Sequence, residues 1–292
     1  MSSLISIITP SFNQGQFLEE TILSVLGQDS PKVEYLVIDG GSTDHSVEII
    51  RRHEKRLAYW CSERDAGHCD ALNKGFRLAS GDLMGWLNSD DKYTPWALSI
   101  VEEIFATFPQ VEWLTSLFPL RWDERGRAVR CSRRRGYSRD GFLAGENMPV
   151  GSWYHENWIQ QEATFWRRSL WERAGGALNT TLKIAADFEL WARFFQHAEL
   201  YAVDTPLGGF RLHGDQKTAK QPAAYAREAA AILKAAGGKP ASAWRSLLRS
   251  NASRALPDRL RPLGHRCGLL YESKVLLRQR GNNGWRPVSV YY

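Results

Sequence analysis

Long apolar stretches are missing from this chain. No run approaches the roughly 20 residues that a membrane-spanning helix needs, so an integral helical membrane protein is not expected. Cysteine is scarce and scattered. Cys61, Cys69, Cys131 and Cys267 show no paired spacing, which excludes a zinc ribbon or a disulfide framework and reads as reduced thiols. The opening MSSLISIITPSFNQ has neither a basic start nor a small-residue cleavage site, so no secretory signal is read and a cytoplasmic location is expected. Two nucleotide signatures are absent as well. PSFNQGQF, not G-x-G-x-x-G, follows the first strand-like run, and G-x-x-x-x-G-K-[ST] does not occur. A dehydrogenase and a P-loop enzyme are therefore disfavoured. Neither an internal repeat nor a low-complexity linker interrupts the chain.

What is present is an ordinary globular mixture. The 292 residues are 43% hydrophobic and 24% charged, enough for one large domain or one and a half. The charge is uneven. Residues 220–292 carry 14 Lys and Arg against 3 Asp and Glu, a net +11, which leaves −5 on residues 1–219 of the total +6. A basic segment that seeks an anionic surface is attached to a mildly acidic body.

The first hundred residues alternate between strand and helix patterns. Leu4–Thr9 (LISIIT), Glu34–Asp39 (EYLVID), LAYWCSE and LMGWL read as strands. Between them FLEETILSVLGQ, TDHSVEIIRRHEK and HCDALNKGFRLAS read as helices, and Pro95 opens a fourth, PWALSIVEEIFATF. Such an order with short connections predicts an α/β protein with a mainly parallel sheet flanked by helices. Ligands of such sheets bind beyond the carboxyl ends of the strands, where Asp39, Glu63 or Asp65, and Asp90-Asp91 fall. From Val111 the pattern predicts a strand, an exposed hairpin around RWDERGRAVRC, a strand running into a short helix near WIQQEATFWRRSLWERAGG, and then helix, strand and a further extended piece. Beyond Lys217 the Ala- and Arg-rich segments, including GHRCGLLYESKVLLRQR, predict helices.

Two adjacent carboxylates at a strand end suit a hard divalent cation, Mn²⁺ or Mg²⁺, bridging protein oxygens to a diphosphate. A capped turn is the alternative reading of the same residues. The ordered set ITPSFNQGQFLEETILSVLGQ, EYLVIDGGSTD, DAGHCDALNKGFRLASGDLMGWLNSDD and AADFELW resembles glycosyltransferase family 2, the inverting enzymes of the GT-A fold. The resemblance spans roughly Leu4 to Lys217; it is weak over Arg121 to Trp153 and does not extend into the basic tail. It implies a GT-A domain over residues 1–217, with a nucleotide-binding half at 1–110 and an acceptor-side half at 111–217. A basic, mainly helical extension over 218–292 follows.

The resemblance also implies roles. Asp91 matches the metal-binding Asp of the D-x-D-like motif, and Asp90 its neighbour facing the ribose or sugar. Thr9, Pro10, Phe12 and Asn13 match the loop that lines the nucleotide, and Asp39 the acidic position near base or ribose. Gly40 stands where many relatives carry a second acid, which leaves the base open, with UDP favoured on family frequency. Asp65, Gly67 and Asn73 match the segment whose helix N-terminus faces the donor. Within it Asp70 is read equally as a helix-start residue, and neither Cys69 nor Lys74 receives a role.

Asp187 matches the general base; Glu189 points elsewhere by helical geometry. His213 is read as a further metal or diphosphate ligand, with Arg211 and Lys217 as phosphate partners. Gln161, Glu162 and Trp158 border the acceptor, with Trp153 a further stacking candidate, while Trp166 and Trp191 read as core. The expected activity is metal-dependent transfer of a sugar from a nucleotide-diphosphate donor to a saccharide or lipid-linked acceptor hydroxyl in surface polysaccharide or glycolipid synthesis. A sugar-phosphate nucleotidyltransferase and a non-catalytic nucleotide-sugar-binding module are the alternatives. Many members of the family glycosylate lipid-linked acceptors, so the resemblance favours an anionic membrane at the inner face of the plasma membrane over nucleic acid for the tail, through Arg245, Arg249 and Lys274. A solvated helical extension or dimer contact is the alternative.

Overall fold

Strand β1 (Ile5–Ser11) is buried along its whole length, and its side chains alternate between two cores. Ile5 and Ile7 face one side and Ile8 the other, as a central parallel strand covered on both faces requires. The same division runs through β2 (Val33–Asp39), where Tyr35 and Val37 oppose Leu36 and Ile38. The computed structural model describes residues 3–29, 32–148, 157–216, 220–279, 281 and 284–292.

Nine strands form the main sheet in the order β13-β12-β10-β6-β9-β4-β1-β2-β3. Here β3 is Tyr59–Ser62, β4 Leu83–Trp86, β6 Trp113–Ser116, β9 Phe165–Arg167, β10 Leu200–Val203, β12 Glu272–Arg278 and β13 Trp285–Tyr291. Neighbours pair in parallel except around β9 and at the β12–β13 hairpin. Helices α1 (Gly15–Leu26), α2 (Ser46–His53) and α4 (Ala97–Thr107) cover one face. Helices α3 (His68–Leu78), α6 (Arg168–Arg173) and α7 (Ala186–Phe194) cover the other. A short α5 (Arg139–Leu143) adds Phe142, which stacks on Phe188 of α7. Trp166 and Trp191 are buried in this second core, their rings 6.0 Å apart. A smaller sheet, β5 (Lys92–Tyr93), β11 (Gly208–Arg211), β7 (Leu120–Trp122) and β8 (Ala128–Cys131), lies next to the mouth of the main one and contains the expected hairpin.

The C-terminal region departs from the expected helical appendage. It begins with helices, α8 (Pro222–Ala235), α9 (Ala243–Ala255) and α10 (Arg261–Arg266), but ends in β12 and β13. β12 runs parallel to β10 and extends the main sheet, and Ala229, Leu233 and Val275 belong to the core shared with α3 and α7. The run VLL in ESKVLLR fits a helix or a strand by periodicity alone, and pairing with β13 along its length and with the edge of β10 decides for the strand. Residues 222–292 thus complete the body.

Candidate active site

Two cavities of about 560 and 480 Å³ open side by side beyond the carboxyl ends of β1, β2 and β4, and His68, Asn88, Phe210 and Gln216 line both. Pro10, Phe12, Gly40, Asp65, Gly67 and Asp90 line the first; Trp158, Gln161, Glu162, Lys183, Asp187 and Tyr225 line the second. Carboxylates therefore face both chambers.

At the end of β4 the two adjacent acids part company. Asp90 stands on the wall of the first cavity, its Oδ2 2.9 Å from Nε2 of His213. The nearly buried His213 ring leans on Phe17, and its Nδ1 accepts the Asp215 amide, which leaves Nε2 aimed at Asp90. Asp91 points the opposite way. It is 0% exposed; its Oδ1 accepts the Arg211 amide at 2.8 Å and its Oδ2 accepts Asn88 Nδ2 at 3.1 Å. Burial, with Asp90 and Glu162 nearby, pushes its carboxyl well above the usual range. In this structure the carboxylate on the cavity wall is that of Asp90, while Asp91 is turned onto protein donors. Arg211 is turned inward likewise. Its guanidinium is wholly buried, donating to the Asp90 carbonyl, the Glu124 carbonyl and Glu20 Oε2, so it frames the site instead of meeting phosphate. Lys217 and Trp153 lie outside the described residues.

Several residues expected at the nucleotide make hydrogen bonds within the surrounding loops. Asp39 is fully buried and accepts the Gly41 and Ser42 amides and the Ser42 and Ser62 hydroxyls. Thr9 shares a hydrogen bond with the Tyr35 hydroxyl, and Asn13, at φ 52°, takes the Thr43 amide. Asn73 clamps both backbone groups of Leu178 at 2.7 and 2.9 Å. None of these four lines either cavity. Phe12 does, at the rim, and Asp65 sits over Gly40: a Cβ at position 40 would lie 2.7 Å from an Asp65 oxygen, so a side chain there would displace the Asp65 carboxylate. Asp65 also accepts the amide of Gly67, whose φ of 119° turns the chain into α3. Asp70 reaches back to the Ala66 amide, as a helix-start residue does, and Lys74 pairs with Glu63.

The second cavity is acidic inside and cationic at one side. Gln161 bridges the Trp86 carbonyl and Asn88, and Gln160 donates to Glu162 at 2.6 Å. Burial, together with the charges of Asp187 and Asp90, pushes Glu162 up to about 8. Burial likewise raises Asp187 to about 6, against hydrogen bonds from the Phe188 amide and Tyr225. Tyr225 OH lies 3.2 Å from each Asp187 oxygen. Glu189 turns away and pairs with Arg193. Trp158 lies beneath the guanidinium groups of Arg121 and Arg134, at 4.8 and 5.3 Å.

Helix α8, outside every motif in the sequence, supplies two parts of this wall. Tyr225 holds Asp187, and Glu228 accepts the amides of Lys183, Ile184 and Ala185 at 3.0–3.1 Å, seating a negative charge at the start of α7. Partial burial opposes ionisation of Glu228, but the three amides outweigh it and hold its pKa below the ordinary value. Glu228→Ala is expected to cost about 1–3 kcal/mol in urea unfolding at pH 7, through loss of charged hydrogen bonds. Because the folded-state pKa is lowered, the difference from wild type should shrink as pH falls through the carboxylate range. His68, Asn88 and Tyr225 had no sequence signal strong enough to single them out.

The chain's first half matches a known family. Residues 6–118 fit the family model described as Glycosyl transferase family 2. An uncharacterized glycosyltransferase of Mycobacterium tuberculosis is 34% identical over 193 residues, which cover 65% of this chain and 68% of that protein. Among solved structures, S. aureus TarS 1–349 in complex with UDP-GlcNAc superposes with a TM-score of 0.61 at 17% identity, over 88% of this chain and 77% of that one. The mannosyltransferase PcManGT from Pyrobaculum calidifontis, in complex with GDP-Man and Mn²⁺, gives 0.53 at 19% identity, over 92% and 85%. These likenesses show a GT-A-type fold, in agreement with the mainly parallel sheet.

Proposed function

The chain belongs to glycosyltransferase family 2, and from that premise we propose that it moves a sugar from a nucleotide-diphosphate donor in the 560 Å³ cavity to an acceptor hydroxyl in the 480 Å³ cavity, with inversion and with the help of a divalent cation. The observation that carries this reading is the placing of Asp90 and Asp187 in adjoining chambers that share His68 and Asn88.

Asp90 and His213 would hold the cation, Mn²⁺ or Mg²⁺; an oxygen and an imidazole nitrogen are suitable donors for either. Among the described residues no set of three His, Cys, Asp or Glu side chains could hold an ion, so this pair would depend on donor oxygens for the rest of its coordination. When bound, the ion supplies positive charge to the leaving group. The relative PcManGT, solved with GDP-Man and Mn²⁺, supports this reading.

The nucleotide lies between Phe12 and Asp65. Asp65, above Gly40, can accept an N–H from a base and does not by itself choose among bases; UDP is our preferred donor nucleotide on family frequency. Asp187 takes the acceptor hydroxyl's proton while that oxygen bonds to the anomeric carbon, and the carbon–oxygen bond to the diphosphate breaks with its electron pair. Tyr225 orients the base. Glu162, protonated at neutral pH, donates a hydrogen bond to the acceptor, and Trp158 gives a sugar ring a face to stack on. A saccharide or lipid-linked saccharide of a surface polysaccharide or glycolipid is the acceptor class.

Thermal melting with nucleoside diphosphates, with and without Mn²⁺, tests the donor side. At about a hundredfold excess over Kd a ligand adds about 2.7 kcal/mol, which moves Tm by roughly 4 °C in a chain of this size. UDP with Mn²⁺ should give the largest shift. Absence of a shift with any nucleoside diphosphate overturns the donor-site assignment, and a retained anomer in the product overturns the direct displacement.

A further inference from the structure

Helix α9 (Ala243–Ala255) is amphipathic in the reverse sense. The face against the protein is polar: Arg249 reaches Glu146 at 2.9 Å and lies 3.7 Å over the Tyr271 ring, Ser250 accepts Arg135, and Ser253 is buried. The opposite face is apolar. Trp244, Leu247 and Leu248, at i, i+3 and i+4, are 63%, 46% and 43% exposed. Arg245 and Arg254, both exposed, border this stripe on its two sides.

The pattern continues beyond the helix. Gly264 of α10 lies against Leu256, the residue that follows α9, so the two segments adjoin. Leu260, Leu263 and Leu269 are exposed there, interleaved with exposed Arg259 and Arg266. Six of the twelve exposed large hydrophobic residues described in the chain fall between Trp244 and Leu269. The one acid of this stretch, Asp258, pairs with Arg261. No helix among the described residues is long and apolar enough to cross a membrane, so this face can lie on a bilayer but not span it.

We propose that α9 and the α10 segment dock on an anionic lipid surface. Trp244, Leu247, Leu248 and Leu263 enter the boundary between headgroups and acyl chains, and Arg245, Arg254, Arg259 and Arg266 meet lipid phosphates. Charge decides the occupant. Apolar residues framed by arginine, with a tryptophan among them, match the interfacial layer of an anionic bilayer. A second copy of the chain docking through the same face would bring Arg245 and Arg254 against their own equivalents. The inference stands on these helices alone and does not depend on the transferase reading. Of the earlier membrane candidates only Arg245 belongs to this face; Arg249 is held by Glu146 and Lys274 by Glu272.

Flotation of the full chain with vesicles of phosphatidylcholine, alone or mixed with phosphatidylglycerol, tests the proposal. The protein should float with the anionic vesicles and not with phosphatidylcholine alone, and high salt should release it. The triple variant W244S/L247S/L248S should float at least about tenfold less, and R245E/R254E should lose binding to a similar extent. Both variants change only exposed side chains, so circular dichroism melts and the nucleotide-induced thermal shift should match wild type. Failure of the wild type to float, or equal flotation of the triple variant, overturns the proposal. So does a wild-type dimer, seen by light scattering, that the triple variant dissociates while neither protein floats.

Discussion

Asp187→Asn is expected to leave a folded, donor-binding protein whose transfer rate falls by about 10²–10⁴-fold, the usual contribution of a positioned general base. The substitution keeps the side chain's shape and its contact with Tyr225 while removing the proton acceptor. Donor affinity should be unchanged, because Asp187 lines the second cavity and not the first. In wild type, transfer should depend on pH with an acid limb near 6, since Asp187 must be ionised and its folded-state pKa is raised to about 6 by burial. Tyr225→Phe removes the two hydrogen bonds that favour the carboxylate, so the limb should move upward in pH with a smaller fall in rate.

The same burial makes a stability prediction of definite sign. A carboxyl whose pKa is higher folded than unfolded binds its proton more tightly in the native state. Its favourable contribution is present below the unfolded value of about 3.9 and is lost as pH rises through about 6. Two pKa units correspond to about 2–3 kcal/mol, so Asp187→Asn should be more stable than wild type at pH 8 and lose that advantage at pH 4. A base that costs stability is what a site selected for chemistry shows. A variant that is both inactive and destabilised at pH 8 would mean that Asp187 serves packing.

How much of this was legible depends on distance along the chain. The two-sided burial of β1, β2 and β4 is written in short apolar runs bounded by turns, and Trp166 and Trp191 read as core because their apolar neighbours repeat at local spacings. Asp187 shares the first turn of its amphipathic helix with Glu189, and the family resemblance is what singles it out as the expected base. Where a side chain's direction depends on a partner far away, local pattern gives no guidance. Asp90 and Asp91 are indistinguishable as letters; the backbone amide of Arg211, 120 residues on, takes Asp91 inward and leaves Asp90 in the cavity. Asn73 looks like a ligand until Leu178, 105 residues away, occupies both ends of its amide. Tyr225 and Glu228 sit in an Ala-rich helix whose composition says nothing about the loop it grips, and β12 becomes a strand by pairing with β13 on one side and the edge of β10 on the other.

That divergence between neighbouring acids yields the second large effect. Asp90→Ala should lower the melting temperature by about 2–5 °C at most, since it leaves Nε2 of the nearly buried His213 without this partner, a loss of about 1–3 kcal/mol. Transfer should nevertheless fall at least about 100-fold, and Mn²⁺ should no longer enlarge the thermal shift produced by UDP, because the cavity loses its accessible carboxylate. Asp91→Ala should act mainly on stability. It removes both acceptors from the Arg211 amide and Asn88 in a site closed to water, at a cost of about 2–4 kcal/mol and a Tm lower by roughly 3–7 °C. Whatever fraction stays folded should still respond to Mn²⁺. Measuring both variants by calorimetry and by donor-induced melting separates the roles. If Asp91→Ala folds normally and loses the ion while Asp90→Ala keeps it, the cation belongs to the buried acid, and the inward turn of Asp91 must reverse when donor binds.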